Sequence, residues 1–277
     1  MAKRKRRNFC ELGPVAYEIS TQKEILKRNI QNALSKETFA GEKASEPLPV
    51  LVSEYSSCMI KRGPGIDPVS QENKAVNLKI AGGFINGIII HPGEVFSFWK
   101  LVGHATPKRG FKEGRVIQND RLILATGGGL CNLANTVNHM VLHSPLSITE
   151  LHTHSDALAM ESGAREPFAN GTSVCYNMVD YRFKNNTDQD FQLLLHCEGD
   201  TQYGELRCQK ELPYKYTLAE EDHHFQKEGD DYYRVSKIYK LTIDKESEAV
   251  REKELVWDNH SLVMFSHDQI PPSLIRE

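Results

Sequence analysis

Cys131, His152, His154 and Asp180 follow one another along the chain in an order that could do nucleophilic chemistry. A thiol attacks as the thiolate. It needs a base to take its proton and works best when a third group orients that base. Cys131 directly follows Gly127-Gly128-Gly129-Leu130, and Leu130, Leu133 and Val137 repeat at helical spacing around it. A helix starting there places Cys131 in the first turn, beside unpaired N–H groups and the positive end of the helix dipole, which favours the thiolate. The glycines permit φ > 0 and close approach of another molecule to the backbone. His152 and His154 lie two apart on an alternating stretch, so they project from one face about 7 Å apart. Asp180, among Met178, Val179 and Tyr181, is a carboxylate in an apolar run, costly without a partner.

These residues assemble into one mechanism. Cys131 is the nucleophile, one of His152 and His154 accepts its proton while the other is a neighbouring contact, and Asp180 orients the imidazole. The N–H groups of Cys131 and a Gly127–Gly129 neighbour stabilise the oxyanion. The order of Cys on a helix start, then His, then Asp parallels papain-like and transglutaminase-like enzymes, by analogy alone. Plainer readings stand beside it. A triple glycine can be a tight turn, a small cysteine is often core, and a histidine pair can sit on a surface strand or hold a metal. Phosphate binding is disfavoured, because the glycines lack the GxGxxG spacing and no Gly-Lys-Ser/Thr follows.

The elements that must position these groups follow from periodicity. Residues 20 to 35 predict a helix with Leu26, Ile30, Ala33 and Leu34 on one stripe. Leu51 to Tyr55 predicts a strand, and Ser70 to Asn86 a second helix closed by Gly87. Ile88 to Ile90 is a short strand, His91-Pro92-Gly93-Glu94 a turn, and Val95 to Trp99 an aromatic strand or packed arm. Arg115 to Gln118 and Leu122 to Leu124 flank a hairpin that delivers the chain to the glycines. The helix after Cys131 ends near His143, ahead of Pro145. Ser147 to His154, Thr172 to Phe183, Phe191 to His196 and Gly204 to Cys208 predict antiparallel strands. Tyr232 to Thr242 and Lys253 to Trp257 predict a further hairpin. Glu220-Glu221-Asp222-His223-His224 reads as a solvated loop, with a two-histidine metal site as its lesser alternative.

Composition narrows the class. The chain has 277 residues, 39% hydrophobic and 26% charged, with a formal charge of −3, which describes an ordinary globular protein and argues against wholesale nucleic-acid binding. The basic start Lys3-Arg4-Lys5-Arg6-Arg7 reads as a solvated tail. No apolar h-region follows it, and no run approaches the roughly 18 apolar residues of a membrane span, so the expected compartment is the cytoplasm. Six cysteines without a CxxC predict reduced thiols and no structural zinc. No metal or other cofactor is called for.

The expected fold class is α+β: an antiparallel sheet with the glycine-elbow helix packed on it. Residues 1–60 form a basic tail and helical segment, 61–210 the main domain, and 211–277 a C-terminal β extension. The ordered runs His91-Pro92-Gly93-Glu94-Val95-Phe96-Ser97-Phe98-Trp99, Gly110 to Gly114, Gly127 to Cys131, His152 to Ser155 and Val179 to Asn186 resemble the VanW domain over roughly residues 65 to 200. That family is named for an accessory protein of B-type vancomycin-resistance clusters. The resemblance implies cell-wall work, since some envelope members act as L,D-transpeptidases through a cysteine at the position of Cys131. The family usually has Gln where this chain has Asn132, and many members carry Asp near Gly171. His154 carries over more firmly than His152. The expected activity is cysteine-dependent acyl transfer on a peptide amide of peptidoglycan or its precursor, with Gly127, Gly128, Gly129, Asn132, Phe98 and Trp99 contacting substrate. The alternative is a non-catalytic binding protein whose Phe96, Phe98 and Trp99 line a groove. An envelope substrate is in tension with the cytoplasmic expectation.

Overall fold

Two four-stranded, mainly antiparallel sheets dominate the described residues. The structure, a computed structural model, describes residues 12–63, 66–118, 121–158 and 165–276. The basic start and the tip of the 115–124 hairpin lie outside these residues. The first sheet has the order β1 (Val50–Cys58), β9 (Thr201–Cys208), β8 (Phe191–Glu198), β2 (Ile88–Ile90). Its strand β1 pairs with β9 from Val50 to Cys58. Two helices cover the sheet. Helix α2 (Pro68–Ile85) is capped by Asp67, whose carboxylate accepts from the Val69 and Ser70 N–H groups. Helix α4 (Leu130–Leu142) follows the glycines, and its Leu133, Ala134, Val137, Met140 and Val141 enter the core with Leu78, Ile85, Phe96, Phe98 and Phe183.

A three-stranded sheet, β3 (Val95–Ser97), β7 (Arg182–Lys184) and β6 (Ser147–Glu150), flanks that body, and β4 (Glu113–Gln118) pairs with β5 (Arg121–Thr126) as the expected hairpin. The C-terminal sheet has the order β12 (Val250–Leu262), β11 (Asp231–Asp244), β10 (Tyr214–Glu228), β13 (Ile275–Arg276). Leu142 of α4 meets it in a cluster with Phe168 and Ile238, joined by Leu218 and Trp257. Helix α1 (Pro14–Leu34) is held from outside: Arg28 reaches Glu150 at 2.6 and 2.7 Å, and Asn32 accepts from Arg182 at 2.8 Å.

Three expectations are corrected. Val95 to Trp99 is a strand only to Ser97, after which Phe98–Val102 forms the short helix α3, because the Ser97 hydroxyl accepts from the Lys100 N–H and caps it. Glu220 to His224 lies inside strand β10, with a bulge between Glu221 and His224 that lets Asp222 take φ 56. Residues 151–154 and 172–181 are not continuous strands. They meet through isolated bridges at Thr153–Thr172 and Cys175–Val179, so Asp180 lies just ahead of β7 and outside any strand. The fold is the expected α+β class with antiparallel sheets and few helices. The glycine-elbow helix does lie against a sheet.

Candidate functional site

The glycine turn is fixed from three sides. Asn77 of α2, fully buried, donates to the Lys112 carbonyl at 3.0 Å and the Gly128 carbonyl at 2.9 Å, and accepts from the Lys112 N–H at 2.7 Å. Gly128 packs so closely on Gly114 of β4 that a Cβ would overlap the Gly114 backbone. Gly129 has φ 93 and caps α4 while lying against the Lys74 methylenes, where again no Cβ fits. Gly127, at φ 83, rests on Ala105. The glycines therefore serve a crowded junction whose positive φ values disfavour other residues.

Cys131 occupies the first turn of α4 and is half-buried. Its sulfur lies 3.9 Å from the Val174 carbonyl, a long contact in which the thiol donates. Burial is the largest influence on this thiol and pushes its pKa above the ordinary value, against the lowering by the backbone contacts. The expected depression is not what results: the thiol is raised, with burial as the largest cause.

Asn135, one turn further along α4, accepts from the Thr172 N–H at 2.7 Å. Thr172 bridges to Thr153, the His154 N–H donates to the Gly171 carbonyl at 2.7 Å, and the Ser173 N–H donates to the His152 carbonyl at 2.8 Å. Thus the pair of segments carrying both histidines lies along the helix face that begins at Cys131. The two imidazoles part company. His154 is mostly buried, its Nδ1 is 2.8 Å from the Ser155 carbonyl, and burial lowers its pKa. A carbonyl only accepts, so Nδ1 carries the proton and Nε2 keeps a lone pair. His152 is exposed and turns to Glu150 at 3.2 Å.

Asp180 is not brought to His154. At 2% exposure its carboxylate accepts from the Ser97 hydroxyl (2.6 Å), the Trp99 N–H (3.1 Å), the Tyr181 N–H (2.9 Å) and the Arg182 guanidinium (2.7 Å). Arg182 and Arg28 also meet Glu150; burial opposes ionisation of that carboxyl, but Arg28 holds it below its usual range. The expected His154–Asp180 contact is corrected to a structural knot joining β3, α3 and α1. Phe98 is fully buried and Trp99 nearly so, with the indole N–H on the Val179 carbonyl at 2.9 Å. Phe96, Phe98 and Trp99 pack the core and line no open groove. Asn132 accepts from the Ser57 hydroxyl at 3.2 Å.

Sequence reasoning missed Asn77 and Lys74, because it scored α2 only for its apolar stripe. Lys74 passes the glycine turn on its way to the Cys58 carbonyl at 3.3 Å, and burial lowers its amine to about 8. The four-residue spacing of Asn73 and Asn77 marked a polar pair worth notice, since Asn73 likewise donates to the Glu113 carbonyl at 2.9 Å. Among the described residues no group of three His, Cys, Asp or Glu side chains could hold a metal, and no helix is long and apolar enough to cross a membrane. Cys131 lines neither of two cavities of about 320 and 340 Å³ found elsewhere on the molecule.

A glycine hairpin junction, stapled by a helix asparagine and opening into a cysteine-bearing helix over mixed antiparallel sheets, defines the class: residues 73–207 match the family described as VanW like protein. Residues 73–207 thus carry a VanW domain. It is 28% identical over 225 residues, 81% of each chain, to the Vancomycin B-type resistance protein VanW of Enterococcus faecalis (strain ATCC 700802 / V583). It is 26% identical over 120 residues to the Uncharacterized protein YoaR of Bacillus subtilis (strain 168), covering 43% of this chain and 38% of that one. No solved structure matches this chain.

Proposed function

We propose that this protein is a cysteine-dependent acyl-transfer enzyme acting on a peptide amide of peptidoglycan or its precursor, in the setting of glycopeptide resistance. The observation that carries the reading is Cys131 in the first turn of α4, on a turn tied down by Asn77 and packed on Gly114. The name of the Enterococcus relative supports the setting. Burial raises the thiol and lowers the His154 imidazole, which favours a neutral pair over a thiolate–imidazolium pair. Proton transfer then accompanies attack. The Cys131 sulfur bonds to the carbonyl carbon as its proton passes to His154 Nε2. The oxyanion takes the Cys131 N–H, and substrate backbone lies along Gly127 to Gly129 beside Asn132. The amine leaves with the proton from His154, giving a thioester. An acceptor amine then yields its proton to His154, bonds to the carbonyl, and expels the Cys131 sulfur, which regains the proton. The Ser155 carbonyl fills the orienting role that Asp180 was expected to have, and His152 is a contact toward the acceptor.

The test is intact-mass analysis after incubation with peptidoglycan stem peptides, alongside Cys131→Ala and His154→Ala. An acyl adduct on the parent, absent in Cys131→Ala and slowed at least tenfold in His154→Ala, is expected. A second reading has its own observation: the Cys131 thiol donates to the Val174 carbonyl as a packed thiol would. On that reading the protein binds precursor peptides without chemistry. Undiminished resistance in Cys131→Ala, with stem-peptide binding intact, would select it.

A further inference from the structure

Gln192 on β8 shows how a buried glutamine of the main sheet can span backbone groups. It is fully buried. Its amide donates to the Ala44 carbonyl at 3.0 Å and the Glu46 carbonyl at 3.2 Å, and accepts from the Leu48 N–H at 2.8 Å. A buried glutamine of this sheet thereby holds an extended segment of the protein's own chain.

Gln202 on β9 offers the same group with nothing bound to it. It is 1% exposed, and neither its amide nitrogen nor its oxygen has a partner among the described residues. An unpaired buried amide is uncommon and costly. Its neighbours in register cannot serve it: Ser57 is turned to Asn132 and Thr136 of α4, and Cys197 offers only a thiol. Asn138 is also unpaired, but it lines neither cavity; Gln202 lines the one of about 340 Å³ between α2 and strands β8 and β9. Leu78 and Leu195 make the apolar walls of that cavity. Gly82 and Gly83 form its helical side, and a Cβ on either would meet no atom within 4 Å. Lys79, one turn before Gly83, stands exposed at the rim.

We propose that this cavity binds a short extended peptide, with Gln202 pairing to its backbone and Lys79 to its terminal carboxylate. One residue of an extended peptide presents its N–H and C=O to the same side, matching the donor and acceptor of one glutamine amide. The volume falls in the range of small-ligand pockets, about 300–1,000 Å³. The site lies apart from Cys131 and stands whether or not that residue is a nucleophile.

The probe is N-acetyl-Ala-Gly titrated into the full chain and followed by ligand-observed NMR, with its C-terminal amide and uracil as comparisons. The parent should bind the free acid saturably, and Gln202→Leu should weaken binding about tenfold, the loss of a buried hydrogen-bonding pair. Gly83→Leu should abolish binding while the melting temperature holds or rises, since a helical glycine is replaced by a better helix former. The amide-capped probe should bind more weakly than the acid, and Lys79→Met should remove that difference. Cys131→Ala should bind as the parent does. No saturable binding to the parent, or equal binding by a folded Gly83→Leu, overturns the proposal, as solvent alone would then occupy the cavity. Tighter binding of uracil, whose edge also pairs with an amide, overturns the peptide assignment.

Discussion

Replacing Asp180 by alanine separates the structural from the chemical account of that carboxylate. The side chain accepts from the Ser97 hydroxyl, the Trp99 and Tyr181 N–H groups and the Arg182 guanidinium, at 2% exposure. Removing it strands two backbone donors in the core, each costing about 1–3 kcal/mol when unsatisfied. The hydroxyl can turn to another acceptor, and Arg182 keeps Asn32 and Glu150, so these two contribute less. The loss should total about 3–5 kcal/mol, a large share of an ordinary domain's 5–15. Asp180→Asn keeps an acceptor for the N–H groups but sets an amide donor against Arg182, so about half that loss is expected. Urea unfolding followed by tryptophan fluorescence measures it, and Trp99 reports directly from beside the carboxylate. Should Asp180→Ala unfold within about 1 kcal/mol of the parent while acyl transfer disappears, the structural assignment is wrong.

The other perturbations act on neighbouring parts of the frame. Gly128→Ala must push its Cβ into the Gly114 backbone, so thermal unfolding should show a loss of about 3 kcal/mol or more, with faster alkylation of a loosened Cys131. Arg28→Ala removes the two-point contact with Glu150, and trypsin should then cut within α1 several-fold faster while the main sheet stays intact. Lys74 has a folded pKa of about 8, below its ordinary value of 10.5. The unfolded chain therefore binds more protons between those limits, and the Lys74 contribution to stability rises with pH across that window. Urea midpoints measured at the window's two ends should rise less in Lys74→Met than in the parent; an identical slope would refute the assignment.

Much of the frame was legible in the residues, for stated reasons. The 3.6-residue stripe of Leu130, Leu133 and Val137 located α4, and Gly87 at φ 83 ended α2 where a left-handed residue belongs. Alternation located β8, β9 and β11. It failed over Thr172 to Phe183, where Gly171 and the Asn177 turn, at φ 49, leave only bridges, and alternation cannot tell a bridged loop from a strand. It failed again at Glu220 to His224, where charge suggested solvent, yet a strand with a bulge exposes such residues as readily. The site was legible in part. Cys131 and the histidine segments do share one helix face, because Asn135 and the 153–172 bridge bring them there. The partner of Asp180 was not legible. A buried carboxylate demands donors, and the sequence does not say whether His154 or Ser97, Trp99, Tyr181 and Arg182 will supply them.

The thiol of Cys131 shows how magnitude decides between two sound arguments. A helix start favours an anion by about 0.3–1 kcal/mol, less than one pKa unit. Burial of an ionisable group moves its pKa by up to about 3–5 units. For the half-buried Cys131 thiol, burial is the largest influence, and it raises the pKa. On the proposed mechanism, a thiol above its usual pKa, on the helix face tied to the segment that carries His154, reacts only when a substrate carbonyl arrives to take the electrons and the imidazole takes the proton. Iodoacetamide makes the distinction in the resting protein. Alkylation of Cys131 at pH 7 should be slower than that of a free thiol and should climb at a higher pH than free cysteine does. A Cys131 that alkylates at pH 7 faster than free cysteine would reverse the ordering of dipole and burial, and with it the concerted proton transfer.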